Sequence, residues 1–133
     1  MTIRAVRSAN MITANDMNTT FRTPAGPIGI TVRVIVDRPL GSHHPKYPDL
    51  CYSVNYGYVP GILAPDGEEQ DVYILGVDEP LKEFVGTVIA VIHRFDDVEE
   101  KWVTAPTGVT FSKEEIARAV AFQEQYFQTE IRM

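Results

Sequence analysis

The chain has 133 residues, 44% of them hydrophobic, and a net charge of −6, which fits one folded domain with one core. No stretch approaches the roughly 20 apolar residues of a membrane span, and we expect no secretory signal because the N-terminus lacks a continuous apolar run. The acidic balance disfavours nucleic-acid phosphate as a partner. The single Cys51 excludes an internal disulfide and fits a reducing cytoplasm.

Charge is distributed unevenly along the chain. Residues 1–48 carry six Lys and Arg against two acids, whereas residues 66–100 carry eleven of the eighteen acids. A basic segment folded opposite an acidic one would hold an anion and cations together. That is the arrangement that a metal–phosphate site requires.

The N-terminal residues 1–25 show no clear periodicity and are predicted to be a flexible lead-in to a single domain spanning 26–133. Residues 28–36 then have an apolar side chain at every second position, 28, 30, 32, 34 and 36, which predicts a half-buried strand. The next thirteen residues, 37–49, contain three prolines and a glycine and are predicted to form a loop.

Four further apolar or β-favouring segments are predicted to be strands: 50–63, 72–77, 85–93 and 101–106. The chain then changes character, because Ser112 and Glu115 have the spacing of a capping box. Apolar residues follow at helical intervals, which predicts one long amphipathic helix of about five turns: Ile116, Val120, Phe127 and Ile131. We therefore predict an α+β fold, a small closed or partly open β-barrel with one C-terminal helix.

Two dense acidic clusters adjoin predicted strands: Asp66, Glu68, Glu69 and Asp71 in the first, and Asp96, Asp97, Glu99 and Glu100 in the second. Taken alone, the Asp-Gly pair in the first cluster is typical of a solvated hairpin turn. The second cluster favours a different interpretation, because two acidic turns can converge at one end of a barrel. Together they would offer the oxygen ligands that Mg²⁺ and Mn²⁺ prefer.

One segment resembles a known family. VNYGYVPGILAPDGEEQDVYIL, residues 54–75, resembles the signature region of soluble family I inorganic pyrophosphatases, where N-Y-G-[FY]-[IV]-P precedes D-G-D-x-x-D. VDRP, DDVEEKWVTAP and FQEQYF resemble other parts of the same enzymes, so the resemblance covers residues 28–131. It implies a five-stranded barrel with a helix, and metal-dependent hydrolysis of pyrophosphate by an activated water without a covalent intermediate.

The resemblance also implies roles for individual residues. The catalytic residues would be Glu68, which orients or deprotonates the attacking water, and Asp71, which helps to bridge the metal ions. The metal ligands would be Asp66, Asp71, Asp97 (or Asp96) and Glu99, and the phosphate contacts would be Arg38, Tyr56, Lys101 and Tyr126. The cofactor would be Mg²⁺, with Mn²⁺ as the alternative. The expected partner is the small molecule pyrophosphate, and neither nucleic acid nor a membrane is expected as a partner. The chain is expected to form a homo-oligomer.

The sequence departs from the family pattern at several places. Glu68 and Glu99 stand where the family has Asp, and Phe127 stands where it has Lys. The second acidic loop is about two residues shorter than usual, and residues 31–33 lack the family's Lys and Glu. The loop GSHHPKYPD looks like an insertion, from which His43, His44 or Lys46 would replace the missing cations.

These departures keep a second interpretation open, namely a barrel that binds metal or phosphate compounds without turning them over. The retention of most carboxylates beside the Tyr-Gly-Tyr segment favours the enzyme instead. A barrel for single-stranded nucleic acid would need a basic groove with aromatic side chains, and the charge of −6 argues against it.

Overall fold

The computed structural model describes residues 26–95 and 99–133, so the predicted lead-in, Asp96 and Asp97 lie outside the described residues. Within the described part, six strands and one helix follow in the order β1 (Thr31–Arg38), β2 (Asn55–Leu63), β3 (Glu69–Ile74), β4 (Glu83–Arg94), β5 (Glu100–Ala105), α1 (Lys113–Glu124) and β6 (Thr129–Arg132). The predicted α+β class is confirmed.

Five of the strands close a barrel in the order β1-β2-β3-β5-β4, because β4 also pairs with β1. β3 and β5 are parallel, and the other pairs are antiparallel. Strand β4 has twelve residues, and this length lets it serve three neighbours. Its first half pairs with β1, and its last residues pair with β6.

The alternation of side chains along the strands separates two apolar clusters. The barrel-core cluster is mainly aliphatic and contains Trp102, Val34 and Ile74. The helix-side cluster contains Tyr52, Tyr56 and Tyr73 together with Ile116 and Val120 of α1. Because successive residues of a strand point to opposite faces, strands β2 to β5 contribute to both clusters. The helix therefore covers a tyrosine-rich face of the sheet.

Helix α1 begins as the sequence predicts and ends earlier. The Ser112 hydroxyl accepts a hydrogen bond from the backbone of Glu115, and the Glu115 side chain accepts one from the backbone of Ser112, so the capping box is confirmed. The predicted continuation through Ile131 is wrong. The helix ends at Glu124, and Ile131 lies in β6, paired with Ile92 of β4.

No helix in the described part of the chain is long and apolar enough to cross a membrane.

Candidate functional site

A cleft of about 730 Å³ opens where the barrel meets the end of α1 and the loop of residues 41–50. Its lining is rich in charged and aromatic side chains: Asp37, Arg38, His44, Tyr47, Asp49, Leu50, Tyr56, Asp71, Arg94, Glu99, Lys101, Gln123, Tyr126 and Phe127. Six of the residues to which the resemblance assigns a role are on this list, namely Arg38, Tyr56, Asp71, Glu99, Lys101 and Tyr126. The cleft is therefore the candidate site.

A β-bulge brings Arg38 to the cleft. Along β1, Val36 pairs with Gly57, but the next pair joins Arg38 to Tyr56, so Asp37 is an extra residue. Because side chains alternate along a strand, one extra residue turns Arg38 to the face of Tyr56 instead of into the barrel. Gly57 permits the close approach of the two strands, since a Cβ there would lie 1.9 Å from the carbonyl oxygen of Ile35.

Parallel pairing brings an acid and a base together at one end of the barrel. β3 and β5 run side by side with Val72 opposite Trp102, so the preceding residues, Asp71 and Lys101, are neighbours on one face. The Lys101 Nζ donates to Asp71 Oδ2 at 2.6 Å. The Lys101 side chain is only 5% exposed, and a buried ammonium is stable only when carboxylates compensate its charge.

Glu99 supplies the second carboxylate around Lys101. Its Oε1 accepts a hydrogen bond from Lys101 Nζ at 2.5 Å, and its Oε2 accepts one from Arg94 Nη1 at 3.4 Å. Glu99 thus lies between two cations at the wall of the cleft. Of the second acidic cluster, Glu99 is the described residue that lines the cleft, whereas Asp97 lies outside the described residues.

Tyr56 completes the contacts of Asp71. Its hydroxyl donates to Asp71 Oδ2 at 2.9 Å, the same oxygen that accepts from Lys101. Burial raises the pKa of Tyr56 well above its usual value, and the negative charge of Asp71 raises it further. The phenol therefore keeps its proton at neutral pH and serves as a hydrogen-bond donor at the cleft.

Arg94 is a cleft residue that sequence analysis did not identify. It is 4% exposed and binds Glu124 of α1 through two hydrogen bonds, from Nε at 3.0 Å and from Nη2 at 2.7 Å. Its guanidinium lies 3.7 Å from the centre of the Phe127 ring. Burial lowers the pKa of Arg94, but the hydrogen bonds and charge of Glu124 outweigh this and raise it. Its only sequence signal is a charged residue closing a strongly apolar strand.

Two predicted residues, Asp66 and Glu68, do not line the cleft. Both are exposed in the turn between β2 and β3, where the backbone N–H of Glu68 donates to Asp66 Oδ1 at 3.0 Å. Tyr126 does line the cleft and is 70% exposed. It follows the helix C-cap, Gln125, instead of lying within the helix as predicted.

The loop of residues 41–50 contributes differently from the prediction. His44, Tyr47, Asp49 and Leu50 line the cleft, whereas the side chains of His43 and Lys46 are not part of its lining. The pKa of His44 is lowered by burial and by the neighbouring charges of Arg38 and Lys46. His44 is therefore neutral at pH 7, and its ring provides hydrogen-bonding nitrogens and no permanent charge.

The described lining holds four carboxylates (Asp37, Asp49, Asp71, Glu99) and three permanent cations (Arg38, Arg94, Lys101). A cleft with both signs of charge can hold the oxygens of an anion and a metal cation that accompanies it. Among the described residues, no group of three or more His, Cys, Asp or Glu is arranged to hold a metal ion by itself.

No protein-family model and no curated protein sequence matches the chain. Solved structures do share its fold. An inorganic pyrophosphatase from Neisseria gonorrhoeae is similar with a TM-score of 0.59 and 22% identity over 80% of this chain and 79% of that one. A second, from Coxiella burnetii, is similar with a TM-score of 0.57 and 17% identity, covering 82% and 88% of the two chains. A third, from Ehrlichia chaffeensis, has a TM-score of 0.59 and 16% identity, covering 86% and 90%. These similarities establish a pyrophosphatase-like fold.

Proposed function

We propose that this protein hydrolyses inorganic pyrophosphate to two phosphates with the help of Mg²⁺. One observation carries the proposal: Asp71, Lys101 and Tyr56 converge beside Arg38 in one cleft, in a fold shared with solved inorganic pyrophosphatases. Pyrophosphate hydrolysis requires charge neutralisation and a positioned water more than covalent chemistry. The mixed charges of the cleft fit that requirement.

The cations and phenols of the cleft would bind the phosphoryl oxygens. Arg38 can bind two oxygens of one phosphate, and Lys101 offers a compact positive charge. Tyr56 remains protonated and can donate a hydrogen bond, and Tyr126 is exposed at the rim. Donors held in place before the reaction stabilise the charge that develops on the leaving phosphate.

The carboxylates of the cleft fit Mg²⁺ by their chemistry. Mg²⁺ is commonly held by one or two carboxylates together with substrate phosphates and water, and Asp71 and Glu99 are two such carboxylates, each partly exposed. Bound there, the metal would neutralise phosphate charge and lower the pKa of a bound water towards neutrality. Lys101 contacts both carboxylates, so it would then share them with the metal or turn towards the phosphate.

For three further residues we propose the roles that the resemblance implies. Asp66 and Asp97 would be metal ligands, and Glu68 would orient the water. Asp66 and Glu68 would need the turn between β2 and β3 to reach the substrate from outside the described lining. Asp71 already lies in the cleft, where Tyr56 and Lys101 both donate to its Oδ2.

The direct test is phosphate release from pyrophosphate with Mg²⁺ or Mn²⁺, compared with an EDTA control. Asp71→Asn should lower phosphate release on the order of 100-fold while leaving the fold intact. Asp78→Asn is the matched control, because Asp78 is exposed and does not line the cleft. Wild-type turnover in Asp71→Asn would refute the proposed role of the cleft.

A second candidate function is binding of metal or phosphate compounds without turnover. The observation that favours it is the Lys101 ammonium between Asp71 and Glu99, because an internal cation already occupies one oxygen of each carboxylate. Calorimetry distinguishes the two functions. Pyrophosphate binding by a folded protein that releases no phosphate with either metal would support the binding module.

A further inference from the structure

We propose that Gln123 of α1 is a positioning residue that holds Arg38 at the cleft through the hydroxyl of Tyr52. The proposal deepens the proposed function and rests on it only for the identity of the anion that Arg38 binds. It assigns a role to the last turn of α1, where the chain carries no residue with an obvious catalytic chemistry.

Two hydrogen bonds join Arg38 to Gln123. The Arg38 Nη1 donates to the Tyr52 hydroxyl at 2.6 Å, and that hydroxyl donates to Gln123 Oε1 at 2.9 Å. Tyr52 is fully buried, and burial raises the pKa of its phenol in spite of the nearby Arg38. The phenol therefore keeps the proton that it donates to Gln123.

The chain of hydrogen bonds continues from Gln123 to a buried ion pair. Gln123 Nε2 donates to the Tyr73 hydroxyl at 2.7 Å, and Tyr73 donates to Glu124 Oε2 at 2.5 Å. Glu124 in turn binds Arg94 through both carboxylate oxygens. Both partners of this ion pair are about 5% exposed or less, so this end of the chain is fixed in the interior.

The ion pair sets the direction of every bond in the chain. An ionised Glu124 can only accept, so Tyr73 must donate to it and must accept from the amide nitrogen of Gln123. The amide oxygen of Gln123 then faces Tyr52, and Tyr52 must donate to it. The Tyr52 oxygen is thereby left to accept from Arg38. A side-chain amide, which offers one donor and one acceptor, meets both needs at this position.

A buried chain of this kind restricts the conformations of Arg38. An arginine side chain loses rotamer entropy when it is ordered, and an arginine already held in place loses less of it on binding an anion. Because Gln123 orients the Tyr52 hydroxyl, removing the Gln123 amide should increase the mobility of the Arg38 guanidinium, although the amide makes no direct contact with Arg38 in this chain of hydrogen bonds.

The first test measures the mobility of the Arg38 guanidinium by ¹⁵N NMR, assigned with Arg38→Lys. Gln123→Met keeps the length of the side chain and removes both hydrogen bonds. Gln125→Met is the matched control, because Gln125 is exposed and its amide donates to the carbonyl oxygen of Phe122. We expect slow rotation about the Cζ–Nη bonds of Arg38 in the wild type and in the control, and fast rotation in Gln123→Met. Unchanged slow rotation in Gln123→Met overturns the proposal.

The second test measures pyrophosphate binding by calorimetry. Gln123→Met and Tyr52→Phe should each weaken binding about 5- to 10-fold, the usual effect of losing one ordinary hydrogen bond. In an Arg38→Ala background, Gln123→Met should cause no further loss. Full additivity of the two losses overturns the proposal, since Gln123 would then act independently of Arg38. If Gln123→Met does not fold, Tyr52→Phe carries both tests.

The two proposals fail separately. A protein that binds pyrophosphate and releases no phosphate refutes the proposed hydrolysis, while the double-variant result still decides the role of Gln123. A wild-type protein that binds no pyrophosphate refutes the anion-binding cleft. In that case the NMR measurement alone decides whether Gln123 positions Arg38.

Discussion

The two acidic segments look alike in sequence and differ in the structure. In residues 66–71, Asp66 and Glu68 are exposed, and the backbone N–H of Glu68 donates to the Asp66 carboxylate within the turn. Of this segment, Asp71 alone lines the cleft. In the second segment, Glu99 lies between Lys101 and Arg94 at the cleft wall. The difference shows that a dense run of carboxylates does not by itself make a site. The strand register decides which of them reach one.

Strand register accounts for the position of each carboxylate separately. Asp71 is in β3, where its neighbour on the parallel strand is fixed as Lys101. Asp66 is in the turn, where Gly67 adopts a φ of 87° and its backbone N–H donates to the carbonyl oxygen of Ala64 at 3.0 Å. A turn of this kind is stable in water without any ligand. Substitutions in both acidic segments test this difference between the carboxylates.

Asp71→Asn should have the largest effect on activity. The amide keeps the shape and loses the charge that holds Lys101 and that would bind Mg²⁺, so we expect kcat/KM for pyrophosphate to fall on the order of 100-fold. Steady-state kinetics at saturating Mg²⁺ measure the effect. Asp66→Asn is the paired variant from the same segment, and an equal loss there would contradict the contrast within residues 66–71.

Glu99→Gln should have a smaller effect, because Lys101 keeps Asp71 as a partner. A residue that orients or assists a metal ligand typically contributes 10- to 100-fold to metal affinity, and we expect the lower end, about 10-fold, at this partly exposed position. The Mg²⁺ concentration that gives half-maximal activity measures this effect. An unchanged Mg²⁺ requirement would remove Glu99 from the metal site and leave it as a counter-ion of Lys101 and Arg94.

Gly67→Ala should affect stability and not the cleft. A Cβ at Gly67 meets no atom within 4 Å, so the cost comes only from the positive φ and should be about 1 kcal/mol in the free energy of unfolding. Urea denaturation measures it. Gly67→Asn should recover part of the loss, because Asn tolerates this conformation. A large loss of kcat/KM in either variant would show that the turn itself belongs to the site.

Glu68→Gln should have the smallest effect on activity. If the turn stays away from the substrate, kcat/KM should change by no more than about twofold, as for other surface substitutions. This variant is also the sharpest test of the resemblance, which implies that Glu68 orients the attacking water. A loss comparable to that of Asp71→Asn would restore that role and require the turn to move onto the substrate.

At the C-terminal end of the chain, the sequence pattern predicts the start of α1 correctly and its end incorrectly. Ser112 and Glu115 are three residues apart, and their capping box depends on local geometry alone, so the sequence predicts it. Phe127 and Ile131 also have helical spacing, but Ile131 pairs with Ile92 of β4. The backbone hydrogen bonds of an open sheet edge outweighed a helical preference that no cap supported beyond Glu124. Only the β-branched Thr129 and Ile131 hinted at this strand.

Among site residues, those next to a recognisable motif could be predicted, and those fixed by distant partners could not. Tyr56 and Asp71 belong to one short signature, and Arg38 closes an alternating strand. Gln123 and Arg94 carry no such signal, because their partners lie far away in the chain, at Tyr52 and Glu124.

The sequence by itself determined the elements whose cause is local: the alternating strand β1, the hairpin turn at Gly67 and the start of α1. It also predicts the chemical character of the proposed site, since carboxylates, arginines and tyrosines are the oxygen ligands and donors that a metal–phosphate site would require. The tertiary structure decided which of these side chains meet. The bulge at Asp37 turns Arg38 towards Tyr56, and the parallel pairing of β3 and β5 brings Asp71 to Lys101. Both depend on strands that are distant in sequence, because register is a property of the closed barrel and not of any one segment.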